Sequence, residues 1–127
     1  MMQFYDNKNI YLQLAENLVE GIVEGKHPPG QKIPSVRELA AEVGVNPNTV
    51  MRTYSELQSK GIIENKRGIG YFVTADATTI VLEQKREEFF RSELPRIQKQ
   101  LALLGIDYPT LQKHLENLNN GNHHENK

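Results

Sequence analysis

Two helix start signals close together in the chain, with a glycine between them, constrain the fold more than any other feature. Ser35 stands three residues before Glu38, the spacing of a capping box in which each side chain accepts a backbone N–H from the other residue. Asn46 followed by Pro47 is an N-cap with proline at the first helical position, where no N–H is needed. Gly44 can adopt the left-handed conformation that turns the chain between the two helices. The sequence therefore predicts a helix-turn-helix.

Apolar periodicity on both sides of this segment supplies further elements. Apolar residues recur at helical spacing before it, which predicts an amphipathic helix over about Ile10–Glu24. After Gly61 the periodicity changes, and residues 62–64 and 71–74 are typical of two short strands joined by a turn. Helix, helix, turn, helix and hairpin is the element order of a winged helix-turn-helix domain, which we expect over residues 1–76.

Helical periodicity returns after about Thr79 and forms an apolar seam that repeats every seven residues. Pro95 lies within the seam and crowds the carbonyl of Arg91, so we expect a kink or a break there. Asp107 can cap a last helix, and the polar residues 120–127 are predicted to be a disordered tail. The expected fold class is thus mainly α with a small β-hairpin, in which residues 77–119 form a short two-helix dimerisation region.

The seam and a phenylalanine beside it are the candidate dimer interface. Its residues are Phe89, Phe90, Leu94, Ile97, Leu101 and Leu104. An alternative is that the seam packs against the first and last helices of its own chain. We favour contact between two copies, because an isolated pair of tail helices has little else to cover these apolar side chains.

Composition excludes several classes of function. The chain has no cysteine, which rules out disulfides, thiolate zinc sites and cysteine nucleophiles. No apolar run approaches the roughly 18 residues that span a bilayer, and the N-terminus lacks a signal-peptide layout, so we expect a cytoplasmic protein. The histidines are scattered and no nucleophile–base pair is evident, so we predict no enzymatic activity, cofactor or metal site. A metal-binding histidine tail is an alternative that the composition leaves open.

The formal net charge of the whole chain is −1, so nucleic-acid binding is possible only if positive charge is concentrated locally. The segment from Lys32 to Arg67 holds more basic than acidic residues, and local positive charge is what nucleic-acid binding requires. The second helix of the predicted pair would present polar side chains to the major groove, while Arg37 and the hairpin tip would reach phosphates or groove edges. The candidate contacts derived in this way are Asn46, Asn48, Thr49, Arg52 and Thr53 on the helix, with Arg37, Lys66 and Arg67 beside it.

Four stretches of the sequence together resemble the N-terminal domain of GntR-family bacterial transcription regulators. They are P-P-G-Q-K-I-P-S-V-R-E-L-A at 28–40, G-V-N-P-N-T-V at 44–50, L-x-x-x-G-I-I-E at 57–64 and R-G-x-G-x-F-V at 67–73. The resemblance covers about Ile10–Thr74, and the short helical tail is similar to that of the YtrA subfamily. It implies DNA contacts from Ser35 and Gly68 in addition to those derived above.

The resemblance implies a sequence-specific transcription regulator, which we expect to be a repressor, and members of the YtrA subfamily commonly control operons encoding ABC transporters. One recognition helix supplies too few contacts for tight binding, so we expect a homodimer on an inverted-repeat operator in double-stranded DNA. The rest of the chain is too short for the effector domains of larger members, and no residue set points to a small-molecule effector. The alternative is a winged helix that binds proteins without specific DNA binding, which the net charge leaves open; salt distinguishes the two, because DNA binding weakens steeply as salt rises.

Overall fold

The structure is a computed structural model that describes residues 7–125, with side chains from Ile10 to Gly121. Its elements in chain order are the helices α1 (Asn7–Val23), α2 (Val36–Val43) and α3 (Pro47–Ser59), the strands β1 (Ile63–Lys66) and β2 (Gly70–Val73), helix α4 (Ala77–Glu88), a π-helical turn (Phe89–Glu93), and the helices α5 (Leu94–Leu104) and α6 (Tyr108–Glu125). The expected fold class, mainly helical with one hairpin, is confirmed. Within the described residues, no helix is both long and apolar enough to cross a membrane.

Both predicted helix caps are present, and they explain why the chain turns where it does. The backbone N–H of Glu38 donates to Ser35 Oγ over 3.1 Å, and the N–H of Ser35 donates to Glu38 Oε1 over 2.8 Å. The N–H of Asn48 donates to Asn46 Oδ1 over 2.8 Å at the start of α3. Gly44 closes α2 with a φ of 72°, and its N–H donates to the Ala40 carbonyl over 2.9 Å. These local bonds fix the helix-turn-helix.

The chain forms two compact units, one ending at Lys85 and the other beginning at Arg86. The core of the first unit lies where α1, α2, α3, the hairpin and the start of α4 meet. Its fully buried side chains include Val50, Thr53, Tyr54, Leu57, Ile62, Val73 and Val81. Ala77 and Val81 of α4 are buried, so this helix starts as part of the first unit rather than of the tail that we expected from residue 77.

Tyr54 ties the centre of α3 to the chain that leads into α2. Its side chain is fully buried, and its hydroxyl donates to the Pro34 carbonyl over 2.6 Å. Its ring meets the ring of Tyr71 edge-on, with centroids 4.8 Å apart. Burial, reinforced by the nearby Tyr71, Glu38 and Glu42, raises the pKa of Tyr54 far above its ordinary value, so the phenol stays a proton donor.

The hairpin gains a third, short strand-like segment from the chain before α2. β1 and β2 pair antiparallel, with Ile63 opposite Val73 and Lys66 opposite Gly70. The N–H of Ile33 donates to the Tyr71 carbonyl over 3.0 Å, and the N–H of Val73 donates to the Gln31 carbonyl over 2.9 Å. The hairpin is therefore attached by its backbone to the segment that ends at the α2 cap.

The second unit consists of helices joined by two local features. A π-helical turn stands where the sequence predicted a kink or a break, and the Leu94 N–H donates to the carbonyl of Phe89. Pro95 then falls in the first turn of α5, where its missing N–H is not needed. Asp107 accepts the Thr110 N–H over 3.0 Å and so begins α6, as predicted. α6 runs to Glu125, through most of the tail for which the sequence predicted disorder; Asn126 and Lys127 of that tail lie outside the described residues.

We predict that Tyr54→Phe lowers the free energy of unfolding by about 1–2 kcal/mol, because it removes the donor to the Pro34 carbonyl while keeping the ring. Urea unfolding followed by circular dichroism measures this loss. Tyr71→Phe is the matched control, since its hydroxyl forms no hydrogen bond with the residues that the structure describes and the ring contact is retained. Equal losses in the two variants would contradict the role given to the Tyr54 hydroxyl.

Candidate nucleic-acid interface

The start of α3 presents most of the polar side chains that the sequence assigned to a groove. Asn46 and Asn48 are exposed, Thr49 is half-buried and Arg52 is exposed one turn further along the helix. The Asn46 side-chain oxygen is engaged by the Asn48 N–H, which leaves the Asn46 amide NH₂ to donate outward. These residues share one side of the first two turns, as base readout by a recognition helix requires.

Thr53 does not belong to this surface, and its assignment to the exposed face was wrong. Its side chain is 0% exposed. The hydroxyl lies 2.9 Å from the Tyr11 carbonyl oxygen on α1 and 3.1 Å from the Thr49 carbonyl oxygen in its own helix. Thr53 is adjacent to Tyr54 on the inner side of α3, and its polar group is satisfied internally. It joins α3 to α1 and makes no contact with solvent.

The start of α2 adds a second set of exposed groups. Ser35 and Arg37 are both exposed, but the hydroxyl of Ser35 is engaged in the capping box. Arg37 forms no ion pair with the carboxylates that the structure describes, so its guanidinium keeps its full set of donors. Of the two, Arg37 is the side chain equipped to bind an anion, and Ser35 acts mainly through the helix start that it caps.

The hairpin carries three cations, one of which the sequence did not single out. Arg67 and Gly68 lie in the turn between the strands, where Gly68 has a φ of 77° that favours glycine. The Lys66 ammonium lies over the Phe72 ring, 4.4 Å from its centroid. Lys32 bridges to β2 opposite Phe72, and its Cε lies 2.9 Å from where a Cβ on Gly70 would stand. Only the pairing of Gln31–Ile33 with β2 places Lys32 on the hairpin, and this pairing is not visible in the sequence.

The lysines and arginines of the first unit whose side chains the structure describes divide into two groups by their partners. Lys26, Lys60 and Lys85 are paired with Glu24, Glu56 and Glu16. In contrast, a second group forms no ion pair with any carboxylate that the structure describes. These interface cations are Lys32, Arg37, Arg52, Lys66 and Arg67. Two of them are held by aromatic rings instead, Arg52 on Tyr11 at 4.0 Å and Lys66 on Phe72. A group of unneutralised cations on α2, α3 and the hairpin is suited to a polyanion.

Glu38 is an acidic residue close to these cations, and its charge is stabilised locally. Hydrogen bonds from the Ser35 backbone and side chain lower the pKa of Glu38 below its ordinary 4.5, and the nearby Lys32 adds to this. Its carboxylate is thereby committed to the helix cap and does not pair with Lys32 or Arg37. Within the described residues, no group of histidine and carboxylate side chains is arranged to hold a metal ion.

The candidate dimer residues lie on the second unit and are mostly exposed. Phe90 is 63% and Leu104 is 72% exposed, Phe89 and Leu94 are exposed to a smaller extent, and Ile97 and Leu101 are half-buried. The Phe89 and Phe90 rings contact each other edge-on at 5.6 Å. Phe89 and Phe90 lie in the π-helical turn, which holds one more residue per turn than an α-helix, so the facing of the seam changes between the phenylalanines and α5.

Comparison with known proteins gives consistent results for family and fold. Residues 10–73 match the family model for "Bacterial regulatory proteins, gntR family". The chain is 41% identical over 98 residues to the HTH-type transcriptional repressor YtrA of Bacillus subtilis, an alignment that covers 77% of this chain and 69% of YtrA. The expected resemblance to the YtrA subfamily is thus confirmed, and these relatives are regulators rather than enzymes.

Two solved structures extend the comparison. A putative GntR-family transcriptional regulator from Bacteroides thetaiotaomicron has a TM-score of 0.75 and 38% identity, covering 89% of this chain and 98% of that one. The DNA-binding domain of AraR in complex with operator ORX1 has a TM-score of 0.51 and 31% identity, covering 58% of this chain and 93% of that one. The winged helix-turn-helix architecture is therefore shared with regulators, one of them bound to its operator.

We predict that the capping box makes stability fall at acid pH. Because the pKa of Glu38 is lower in the folded protein than its ordinary 4.5, the stabilisation is present above that pH and is lost as the pH falls through the folded pKa. Glu38→Gln keeps an acceptor for the Ser35 N–H but does not titrate. Thermal unfolding across this pH range should therefore show a smaller acid loss in the variant than in the wild type, and equal acid losses would contradict the capping role of the carboxylate.

Proposed function

This chain belongs to the GntR family of bacterial regulatory proteins, and we propose that it is a cytoplasmic repressor that binds an inverted-repeat operator as a homodimer. The observation that carries the proposal is the group of interface cations that form no ion pair with the described carboxylates, while Lys26, Lys60 and Lys85 are paired. A cation without a carboxylate partner contributes most to the free energy of binding DNA, because it neutralises a phosphate and releases the counterions condensed there. The operator complex of the similar AraR domain supports the same use of this fold.

The proposed contacts fall into two classes. Asn48 and Thr49, with the Asn46 amide, read base edges from the start of α3, because an asparagine amide matches adenine and a threonine methyl matches the thymine methyl. Arg37 and the hairpin cations bind phosphates and so set the register of the protein on the duplex. Arg67 and Gly68 form the tip that approaches the neighbouring minor groove.

Repression is proposed because the relative that shares 41% identity with the chain is named a transcriptional repressor. Control of an operon encoding an ABC transporter rests on the resemblance to the YtrA subfamily alone. Selection of fragments from genomic DNA with the purified protein, followed by sequencing, identifies the operator and the genes beside it. Recovery of no enriched fragment would contradict sequence-specific binding.

The exposed apolar side chains of the second unit are the reason for proposing a homodimer. Phe90 and Leu104 are more than half exposed in one copy, and apolar surface of this kind is buried when a second copy covers it. Two recognition helices related by a twofold axis match two half-sites about one helical turn, or a multiple of it, apart. An inverted repeat is therefore the operator that we propose for this dimer.

We predict that Arg37→Ala weakens operator binding by about 1–3 kcal/mol without lowering thermal stability, since the side chain is exposed and pairs with none of the described carboxylates. Gel shift or fluorescence anisotropy against the selected fragment measures the affinity. Lys60→Ala is the matched control, because it also removes one exposed cation but from an ion pair with Glu56. Unchanged affinity in Arg37→Ala, or an equal loss in both variants, would remove Arg37 from the interface.

We predict that Leu104→Glu converts the dimer to a monomer, because a charge would have to be buried between the two copies. The residue is 72% exposed in a single copy, so the substitution is not expected to unfold the chain. Sedimentation velocity measures the mass. Lys99→Glu, on the opposite side of α5, changes the charge by more and should remain dimeric. A dimeric Leu104→Glu protein would refute this interface.

A further inference from the structure

Tyr11 of α1 makes two contacts with α3 that involve neighbouring residues of the recognition helix. The Thr53 hydroxyl donates to the Tyr11 backbone carbonyl over 2.9 Å, and the Arg52 guanidinium lies over the Tyr11 ring, 4.0 Å from its centroid. Thr53 is fully buried, so the first contact is protected from water and fixes this point of α1 against α3. The ring is half-buried and is held next to the exposed Arg52.

The stack leaves the hydrogen-bonding capacity of Arg52 unused. A guanidinium contacts an aromatic ring through its flat face, whereas its N–H donors point outward in its own plane. Arg52 forms no ion pair with the carboxylates that the structure describes, so nothing in the described chain competes for those donors. The ring therefore orders the side chain without neutralising it, which reduces the freedom lost when the arginine binds an anion.

The position of the guanidinium also indicates which part of DNA it meets. By helical spacing alone, Arg52 follows Asn48 on the same stripe of α3 and would be assigned to a base. The stack instead draws its head to the side of α3 against which α1 packs. In helix-turn-helix complexes the N-terminal residues of the recognition helix contact the base edges in the groove. A guanidinium drawn away from that end, towards the side of α3, is displaced from the bases towards the edge of the groove, where the phosphates lie.

From this geometry we propose that Tyr11 is a positioning residue, which holds Arg52 for a phosphate of the duplex rather than for a base. The proposal rests on the proposed function, since it assigns the partner of one interface cation. It replaces the base contact that helical spacing alone suggests for Arg52. It also gives Tyr11 of α1 a role in DNA binding, although Tyr11 acts on Arg52 and does not itself contact the duplex.

The test is a double-mutant cycle with Tyr11→Leu, Arg52→Ala and the double variant. Each protein is titrated with the genomic fragment selected by the wild type and with a scrambled duplex of the same length and composition. Arg52→Ala should weaken binding to both duplexes by the same factor and lower the slope of log affinity against log salt by about 1. Tyr11→Leu should weaken both by roughly two- to fivefold, and it should have no further effect when Arg52 is already alanine.

Two further variants separate positioning from simple stabilisation. Tyr11→Phe keeps the aromatic face and should retain wild-type affinity. If the ring only filled space, a non-aromatic side chain of similar size would retain the affinity as well. If Tyr11→Leu is unfolded by circular dichroism, Tyr11→Met takes its place as a flexible apolar filler.

Each outcome supports or overturns a distinct statement. A loss confined to the selected fragment in Arg52→Ala would show a base contact and overturn the phosphate assignment. An unchanged affinity in Tyr11→Leu, or the same loss with and without Arg52, would overturn the positioning role while leaving DNA binding intact. A wild-type protein that binds neither duplex would overturn the proposed function itself, and this inference with it.

Discussion

The packing of the inner side of α3 is the constraint on which the rest of the first unit depends. Val50, Tyr54 and Leu57 are buried together, and the Tyr54 hydroxyl binds the backbone at Pro34. Because this side is fully occupied, the polar start of the helix has to remain outside. The same buried bond holds the segment leading into α2 beside α3, so the two helix starts are placed by one internal contact rather than by loop geometry alone.

The charges of the chain are distributed in a way that its net charge of −1 conceals. In the first unit, carboxylates neutralise Lys26, Lys60 and Lys85, whereas the interface cations form no ion pair with the carboxylates that the structure describes. Glu38 lies near these cations and keeps its negative charge, and its carboxylate accepts the Ser35 N–H that caps the start of α2. An acidic protein can thus bind a polyanion, because only the local field at the contact surface matters at short range.

Features encoded in neighbouring residues could be predicted from the sequence, and features that depend on distant pairing could not. The capping box, the asparagine cap and Gly44 act within a few residues, and all three were found as expected. Thr53 was misplaced because one residue along a helix changes direction by about 100°, which separates the exposed Arg52 from a buried neighbour. Lys32 was missed because its place on the hairpin depends on β2, far along the chain.

The same limit applies to the tail. The sequence located a disturbance at Pro95 correctly, but a π-helical turn just before it accommodates the proline where a kink or break was expected. Such a turn depends on how the preceding carbonyls are satisfied, and periodicity carries no information on this.

The attachment of the short segment Gln31–Ile33 to β2 has a mechanical consequence. Because these backbone bonds connect the hairpin to the segment that leads into α2, we expect a displacement of the hairpin to displace the start of α2 as well.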